Sequence, residues 1–337
     1  MTFSSPANHN YPQSFIHPDA RIHESVKIGP FCSISADVEI GEGCEIDSHV
    51  VIYDGVSIGK NCKIMPNTVI SADASKIEYW RENREPQIAR VQIGDHVHMQ
   101  PGVNIHGGVV IGDHCWLGSS SIIHDGARIG KHVKIFSGAV ISAIPQDLKF
   151  KGEKTTLEIG DYSTIRECAT LNRGTEFHGK TEIGKHVLIM AYAHIAHDCI
   201  IGDHVIVVNA VNMAGHVEIG DWAIIGGMTG IHQFVKIGKH AMIAGHSVVT
   251  KDVPTFVKAG RSPLQYVGVN SIGLRRRGFS NETINYIQEI YRKIFVSGMN
   301  TGQALDYVET QMLSSEERDE ILTFIRKATR GIIKGHA

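Results

Sequence analysis

Residues 28–64 read IGPFCSISADVEIGEGCEIDSHVVIYDGVSIGKNCKI, and Ile returns at every sixth position, at 28, 34, 40, 46, 52, 58 and 64. Outward from this stretch the same phase holds from Ile16 to Ile70. It resumes from Ile93 to Ile141, with Met99 and Leu117 standing in for Ile, reappears at Ile159, Ile165 and Leu171, and runs from Ile183 to Val249. A period of six matches neither the 3.6 of an amphipathic helix nor the 2 of a lone half-buried strand. It is the hexapeptide form of the parallel β-helix, in which each hexad is a short strand plus a turn and three hexads close one triangular coil. The aliphatic residue points into the prism. Gly, Asn, Asp and His at the corners tolerate the unusual turn backbone. The hexads suffice for about eleven coils, a mostly β architecture.

The rest of the composition agrees. The chain of 337 residues is 42% apolar, carries a net charge of −2, and holds 35 Gly against only 7% aromatics. It lacks the basic excess of a nucleic-acid binder, and no apolar run approaches the roughly 20 residues of a membrane helix. Neither nucleic acid nor stable membrane insertion is expected. Met1 to Tyr11 is polar and lacks a secretory pattern, so residues 1–14 read as a disordered lead-in and the location as cytoplasmic. The six cysteines form no CxxC pair, which gives no support for a zinc site or a disulfide framework. Five of them (Cys32, Cys44, Cys62, Cys115 and Cys199) stand four residues after a hexad aliphatic, where a small buried side chain is wanted.

The prism is expected over residues 15–254, interrupted by loops at 72–92 and 143–158, with a linker and helical domain over 255–337. Residues 44–71 align without gaps to 115–142: Asp54-Gly55 matches Asp125-Gly126, and Ile70-Ser71 matches Ile141-Ser142. Each copy is followed by Ala and a non-hexad loop, so coils and loop together read as a duplication. The loops differ in chemistry, Trp80-Arg81-Glu82-Asn83-Arg84 in the first and Pro145-Gln146-Asp147-Leu148-Lys149 in the second. Beyond the prism, Ile284, Ile287, Tyr291, Ile294 and Phe295 make one apolar stripe, with Ser280 as N-cap and Gly298 as terminator. A further helix is expected after Ser314 or Ser315.

Most histidines sit in corner tripeptides such as Gly-Asp-His. A different group is His194, His197, Asp198, His216, His232 and Gln233, which the spacing gathers along one edge. Three histidines on such a prism also describe gamma-type carbonic anhydrases, so zinc competes with catalysis. The acid beside His197 and the nearby amide favour general-base work on a hydroxyl.

HIAHDC (194–199), AGH (214–216), IIGGMT (224–229), HQF (232–234), PQDLKF (145–150) and GLRRRGFS (273–280), followed by a helical tail, resemble the UDP-N-acetylglucosamine O-acyltransferases of lipid A biosynthesis. The likeness covers residues 116–335 closely and 15–46 in part; the intervening coils exceed the usual family length. The resemblance implies a left-handed winding, a homotrimer, and transfer of a 3-hydroxyacyl chain from acyl carrier protein to a UDP-amino sugar. It implies no cofactor and no metal, because the acyl group arrives as an activated thioester. His197 resembles the general base, Asp198 the residue orienting it, and Gly215 the oxyanion donor. His194, Gln146, Asp147 and Lys149 resemble sugar and phosphate contacts, and His216 a substrate contact near the thioester. His232, Gln233, Asn270 and Arg277 resemble contacts to nucleotide or acyl chain, and Gly245 the position limiting acyl length. The run Arg275-Arg276-Arg277 suits docking of an acidic carrier protein. Ile272 departs from the pattern, since some members carry an acid there. Another hexapeptide enzyme, a sugar N-acyltransferase or the carbonic anhydrase, is the alternative.

Overall fold

The computed structural model describes residues 3–4, 13–72 and 90–335. The chain divides into two compact units, Met1–His186 and Val187–Ala337. In the first unit, strands of two to four residues stack in parallel as three walls, with hexad residue over hexad residue: Ile22 pairs with Ile40, Ile40 with Ile58, and Ile46 with Ile64. Their side chains fill the interior, and Ile34, Ile52, Ile70, Ile105, Ile123 and Ile141 are wholly buried. Ile28 is only half-buried, because its strand Lys27–Ile28 is the edge of its wall. Register between neighbours is fixed because a slip would turn every buried Ile to solvent.

The corners require left-handed backbone, and histidine supplies it more often than glycine. His96, His114, His132 and His186 have φ of 57°, 59°, 57° and 55°. A β-carbon in this region is disfavoured, but the rings stack flat on one another, His96 on His114 and His114 on His132 each at 4.7 Å. That is the spacing of paired strands. The five hexad-phased cysteines are buried and Cys168 is exposed. Each buried thiol donates to a carbonyl of the neighbouring coil: Cys32 to Asp47 at 3.0 Å, Cys44 to Gly59 at 3.1 Å, Cys62 to Gly94 at 3.2 Å, Cys115 to Gly130 at 3.0 Å and Cys199 to Ala214 at 3.3 Å.

The duplication is structural as well as textual. The strands Val69–Ala72 and Val140–Ala143 both end in a register shift after the hexad Ile. In each the following Ser is left-handed (Ser71 at 58°, Ser142 at 62°). Each Ser hydroxyl donates back to the Asp carbonyl of its own copy, Ser71 to Asp54 at 3.2 Å and Ser142 to Asp125 at 2.7 Å. The first loop, with Tyr79 and Trp80–Arg84, lies outside the described residues. Within residues 1–14, expected to be a disordered lead-in, Phe3–Ser4 is a strand antiparallel to Arg21–His23. It satisfies backbone groups at an otherwise open edge.

In the second unit the walls continue the same pattern, with His194–Ile195, Asn212–Met213, Gly230–Ile231 and Val248–Val249 forming one of them. A hairpin of Val257–Gly260 and Gln265–Val269 adds to another wall. Helices follow at Ser271–Arg276, Asn281–Phe295, Thr301–Gln311 and Glu316–Arg326. Ser280 caps the second of these by accepting from the Thr283 amide, and Ser315 caps the last. The helix Thr301–Gln311 was not foreseen; it buries only Ala304, Leu305 and Val308 and owes its start to an Asn300–Gln303 capping box. The tail is bound to the last coil. The buried Tyr291 hydroxyl donates to the Thr255 carbonyl at 2.6 Å, and the fully buried Asp252 accepts from the Lys236 amide at 2.8 Å and the Arg330 amide at 3.3 Å. Among the described residues no helix is long and apolar enough to cross a membrane.

Glu45–Ile46 and Trp116–Leu117 are strands of the same wall, so joining Cys44 to Trp116 removes residues 45–115 and preserves hexad phase. Stability in stacked repeats is approximately a sum over neighbours. The deletion is expected to keep a cooperative melt and native β-sheet circular dichroism. A non-cooperative melt would show that the duplicated coils are required for folding.

Candidate active site

One wall of the second unit turns His194, Asn212, Gly230 and Val248 outward and Ile195, Met213, Ile231 and Val249 inward. With Ala196, Ala214, His232 and Thr250 at the adjoining turn, the outward residues line an open groove of about 380 Å3. Its floor is apolar. A β-carbon added at Gly230 would meet nothing within 4 Å, and Val248 is 69% exposed. Burial lowers the pKa of His194, which favours the neutral imidazole at this end of the groove.

The turn beside the groove holds the chemistry. At ordinary corners the histidine itself is the left-handed residue. Here that position is Asp198 (φ 58°), and His197 precedes it. The reversal brings the Asp198 carboxylate to 2.7 Å from His197 Nδ1, with the Asp198 side chain wholly buried and that of His197 13% exposed. Nδ1–H donating to the carboxylate leaves Nε2 as the acceptor. A buried negative charge beside the ring stabilises the imidazolium once Nε2 takes a proton. One coil on, His216 lies edge-on to His197 (5.0 Å, 89°) and is stacked flat on Phe234 at 4.3 Å. Its Nδ1 is 3.9 Å from the same carboxylate.

Gly215 packs against the Cε1–Nε2 edge of the His197 ring. A β-carbon there would stand 2.7 Å from His197 Cε1 and 2.8 Å from Nε2. Its amide donates no backbone hydrogen bond among the described residues. A donor and a base therefore lie side by side, the pairing that acyl transfer needs.

The other residues expected at the site lie on several separate segments. His232 and Gln233 are exposed on the next turn, and His232 Nδ1 lies 3.1 Å from the Gln233 carbonyl. Gly245 backs onto Gly227, whose carbonyl an added β-carbon would approach to 3.2 Å. Asn270 is buried as the N-cap of Ser271–Arg276, accepting from the Gly273 amide and donating to the His240 carbonyl at 2.9 Å. Arg277 is anchored within the chain, over Trp222 at 5.3 Å and 3.2 Å from His240 Nδ1, while Arg275 and Arg276 are exposed. Burial, with the Arg277 charge beside it, takes the His240 pKa down to about 4. Gln146, Asp147 and Lys149 belong to the other unit, on an exposed turn where the Lys149 amide donates to Asp147 at 3.0 Å. The sequence reading missed Asn212, Met213, Gly230, Val248 and Thr250. The signal for Asn212, Gly230 and Val248 was there in the coil-length spacing from His194, which fixes the outward column of that wall.

A family model described as UDP N-acetylglucosamine O-acyltransferase, domain 2, matches residues 252–333, and the bacterial transferase hexapeptide model matches 108–143 and 180–215. Residues 10–100 match the model of the GMPPB C-terminal domain. The acyl-[acyl-carrier-protein]–UDP-N-acetylglucosamine O-acyltransferase of Chlorobaculum parvum is 61% identical over 198 residues, which is 58% of this chain and 75% of that relative. The chain belongs to the UDP-N-acetylglucosamine O-acyltransferase family. The Aquifex aeolicus member is 55% identical over 203 residues, 60% of this chain and 78% of its own. Among solved structures, the UDP-N-acetylglucosamine acyltransferase of Bacteroides fragilis matches with a TM-score of 0.61 at 39% identity, covering 95% of this chain and 100% of that one. The Arabidopsis enzyme matches at 0.64 and 29%, covering 96% and 99%. The left-handed parallel β-helix with a helical tail is thus the fold of this family member.

Gly215 does not have a left-handed backbone, and the nearest atoms opposing Gly215→Ala are those of the His197 ring. The variant should fold normally and lose roughly 10²-fold in turnover, the scale of a displaced catalytic group. Unchanged turnover would show that the imidazole does not need its place against this amide.

Proposed function

We propose that the protein transfers an (R)-3-hydroxyacyl chain from acyl carrier protein to the 3-hydroxyl of UDP-N-acetylglucosamine, the first step of lipid A biosynthesis. The observation that carries this is the His197–Asp198 pair at 2.7 Å with the bare Gly215 amide beside it. His197 Nε2 takes the proton of the sugar 3-hydroxyl as the oxygen attacks the thioester carbonyl carbon. The Gly215 N–H stabilises the resulting oxyanion. The tetrahedral centre then collapses, the C–S bond breaks, and the imidazolium returns its proton to the departing thiolate. Asp198 holds the ring and balances its charge throughout.

His194, Gln146, Asp147 and Lys149 are assigned to sugar and phosphate, and His216 to the substrate near the thioester. His232, Gln233, Asn270 and Arg277 are assigned to nucleotide or acyl chain. The apolar groove past His194 suits the acyl chain, and Gly245 leaves its length unrestricted. The exposed Arg275 and Arg276 suit an acidic carrier protein, whereas Arg277 serves His240 and Trp222. We assign the working enzyme as a cytoplasmic homotrimer. Ile272, where some members carry an acid, is 63% exposed and offers no polar contact to a nucleotide.

One observation favours a second reading. A ring nitrogen from each of His197 and His216 and an Asp198 oxygen lie within 4.8 Å of one another, close enough to hold a metal ion. The two readings separate in one experiment. His197→Ala is expected to keep its melting temperature and lose at least about 10²-fold in turnover, while chelator-treated wild type keeps full activity. Loss of wild-type activity on chelation, restored by zinc, would favour the metal.

Acyl length supplies a further test. Gly245→Met is expected to shift preference to shorter chains, because a side chain there, whose β-carbon would already stand 3.2 Å from the Gly227 carbonyl, takes up room a long chain would use. A carrier-protein panel with unchanged preference would remove Gly245 as the ruler.

A further inference from the structure

The two copies of the duplicated frame differ at the strand end that meets the departing loop. In the second copy, Ala143, where the loop departs, is paired with Asn172 on the next strand, Thr170–Asn172. Asn172 is buried, and its amide nitrogen donates to the carbonyls of Ala143 at 3.3 Å and Ile144 at 2.9 Å. The Arg173 backbone amide donates to the same Ala143 carbonyl at 3.0 Å. Its guanidinium, 2% exposed, donates to the Asp125 carbonyl at 3.1 Å and pairs with the Asp125 carboxylate at 2.5 Å. The guanidinium also lies 6.0 Å over the ring of Phe150, which follows Lys149 in the loop. In the first copy, Ala72 is paired with His106 instead. His106 occupies the place of Asn172 and Gly107 that of Arg173, so neither the amide donor nor the guanidinium is present there.

We infer that Asn172 and Arg173, braced on Asp125, are positioning residues that set the pose of the loop carrying Gln146, Asp147 and Lys149, and through it the affinity for the UDP-sugar. This rests on the assignment of those three residues to the sugar nucleotide. Three donated hydrogen bonds fix the two carbonyls from which the loop departs, and the cation beside Phe150 fixes its far shoulder. A charge-assisted bond from a buried guanidinium to a half-exposed carboxylate is geometrically specific as well as strong. Breaking such a pair leaves a charge uncompensated, so the informative substitutions keep it. Asn172→Ala removes two loop hydrogen bonds and leaves Arg173–Asp125 intact. Arg173→Lys keeps the charge and loses the planar fork that serves carbonyl and carboxylate together.

In steady-state assays of the full enzyme, Asn172→Ala is expected to raise KM for UDP-N-acetylglucosamine about tenfold. KM for the acyl carrier protein donor and the melting temperature should stay at wild-type values, and Arg173→Lys should raise the same KM by a smaller factor. Hydrogen exchange in peptide 144–155 should quicken in both variants. Lys149→Ala and Gln146→Ala are measured alongside. If they raise the sugar KM and Asn172→Ala does not, the positioning role is wrong while the loop assignment stands. If none of the four changes it, the loop assignment falls and takes the inference with it. A uniform loss of stability and of both affinities in Asn172→Ala and Arg173→Lys would make the cluster merely structural, which also overturns the inference.

Discussion

Everything in this structure depends on a buried aliphatic column climbing the interior with one residue per wall per coil. Ile34 over Ile52, or Ile40 over Ile58, pairs like with like through backbone hydrogen bonds and excludes water from the space between walls. Because each coil is closed by three short strands, the backbone must turn sharply every few residues. The turns are made by residues in the left-handed region, and at a corner such a residue needs a reason to accept the strain. The histidines find it in stacking on the ring one coil away.

The same constraint builds the active site. Where the left-handed residue is Asp198 rather than His, its side chain is directed back to the preceding imidazole, and a corner becomes an imidazole paired with a buried carboxylate. His216 and Phe234 occupy the equivalent position one and two coils on, so the column that stacks rings elsewhere here clamps one ring against the dyad. The arrangement proposed to be catalytic is a substitution within the corner pattern and needs no departure from the fold.

Duplication shows what the frame provides and what individual residues add. Both copies expel a loop after Val-Ile-Ser-Ala with the same register shift and the same seryl hydrogen bond to the Asp carbonyl. The frame therefore decides where a loop leaves. The copies differ at the strand end that meets the departing Ala, Asn172-Arg173 in one and His106-Gly107 in the other. Where burial lowers the pKa of a group beside a cation, as at His240 against Arg277, the tail gains a neutral acceptor for a guanidinium.

The sequence by itself determined the period of six, hence which residues face inward, where the thiols are buried, and that His197-Asp198 breaks the corner rule. It also marked Ser280, and the pair Ser314-Ser315, as helix starts, because an N-cap is a local hydrogen bond. Such features are legible because in a stacked repeat each residue's surroundings follow from its phase. Tertiary structure alone decided the rest. The helix Thr301–Gln311 buries too few apolar residues to show a stripe, and it stands by packing on its neighbours. Arg277 reads in the sequence as a nucleotide or acyl-chain contact within a basic run, and only the fold lays it on Trp222 and His240. The pairing of Ala143 with Asn172 spans an excursion from the hexad phase, so no periodic rule announces it. Contacts that cross a loop are set by where the chain returns, and only the folded backbone fixes that.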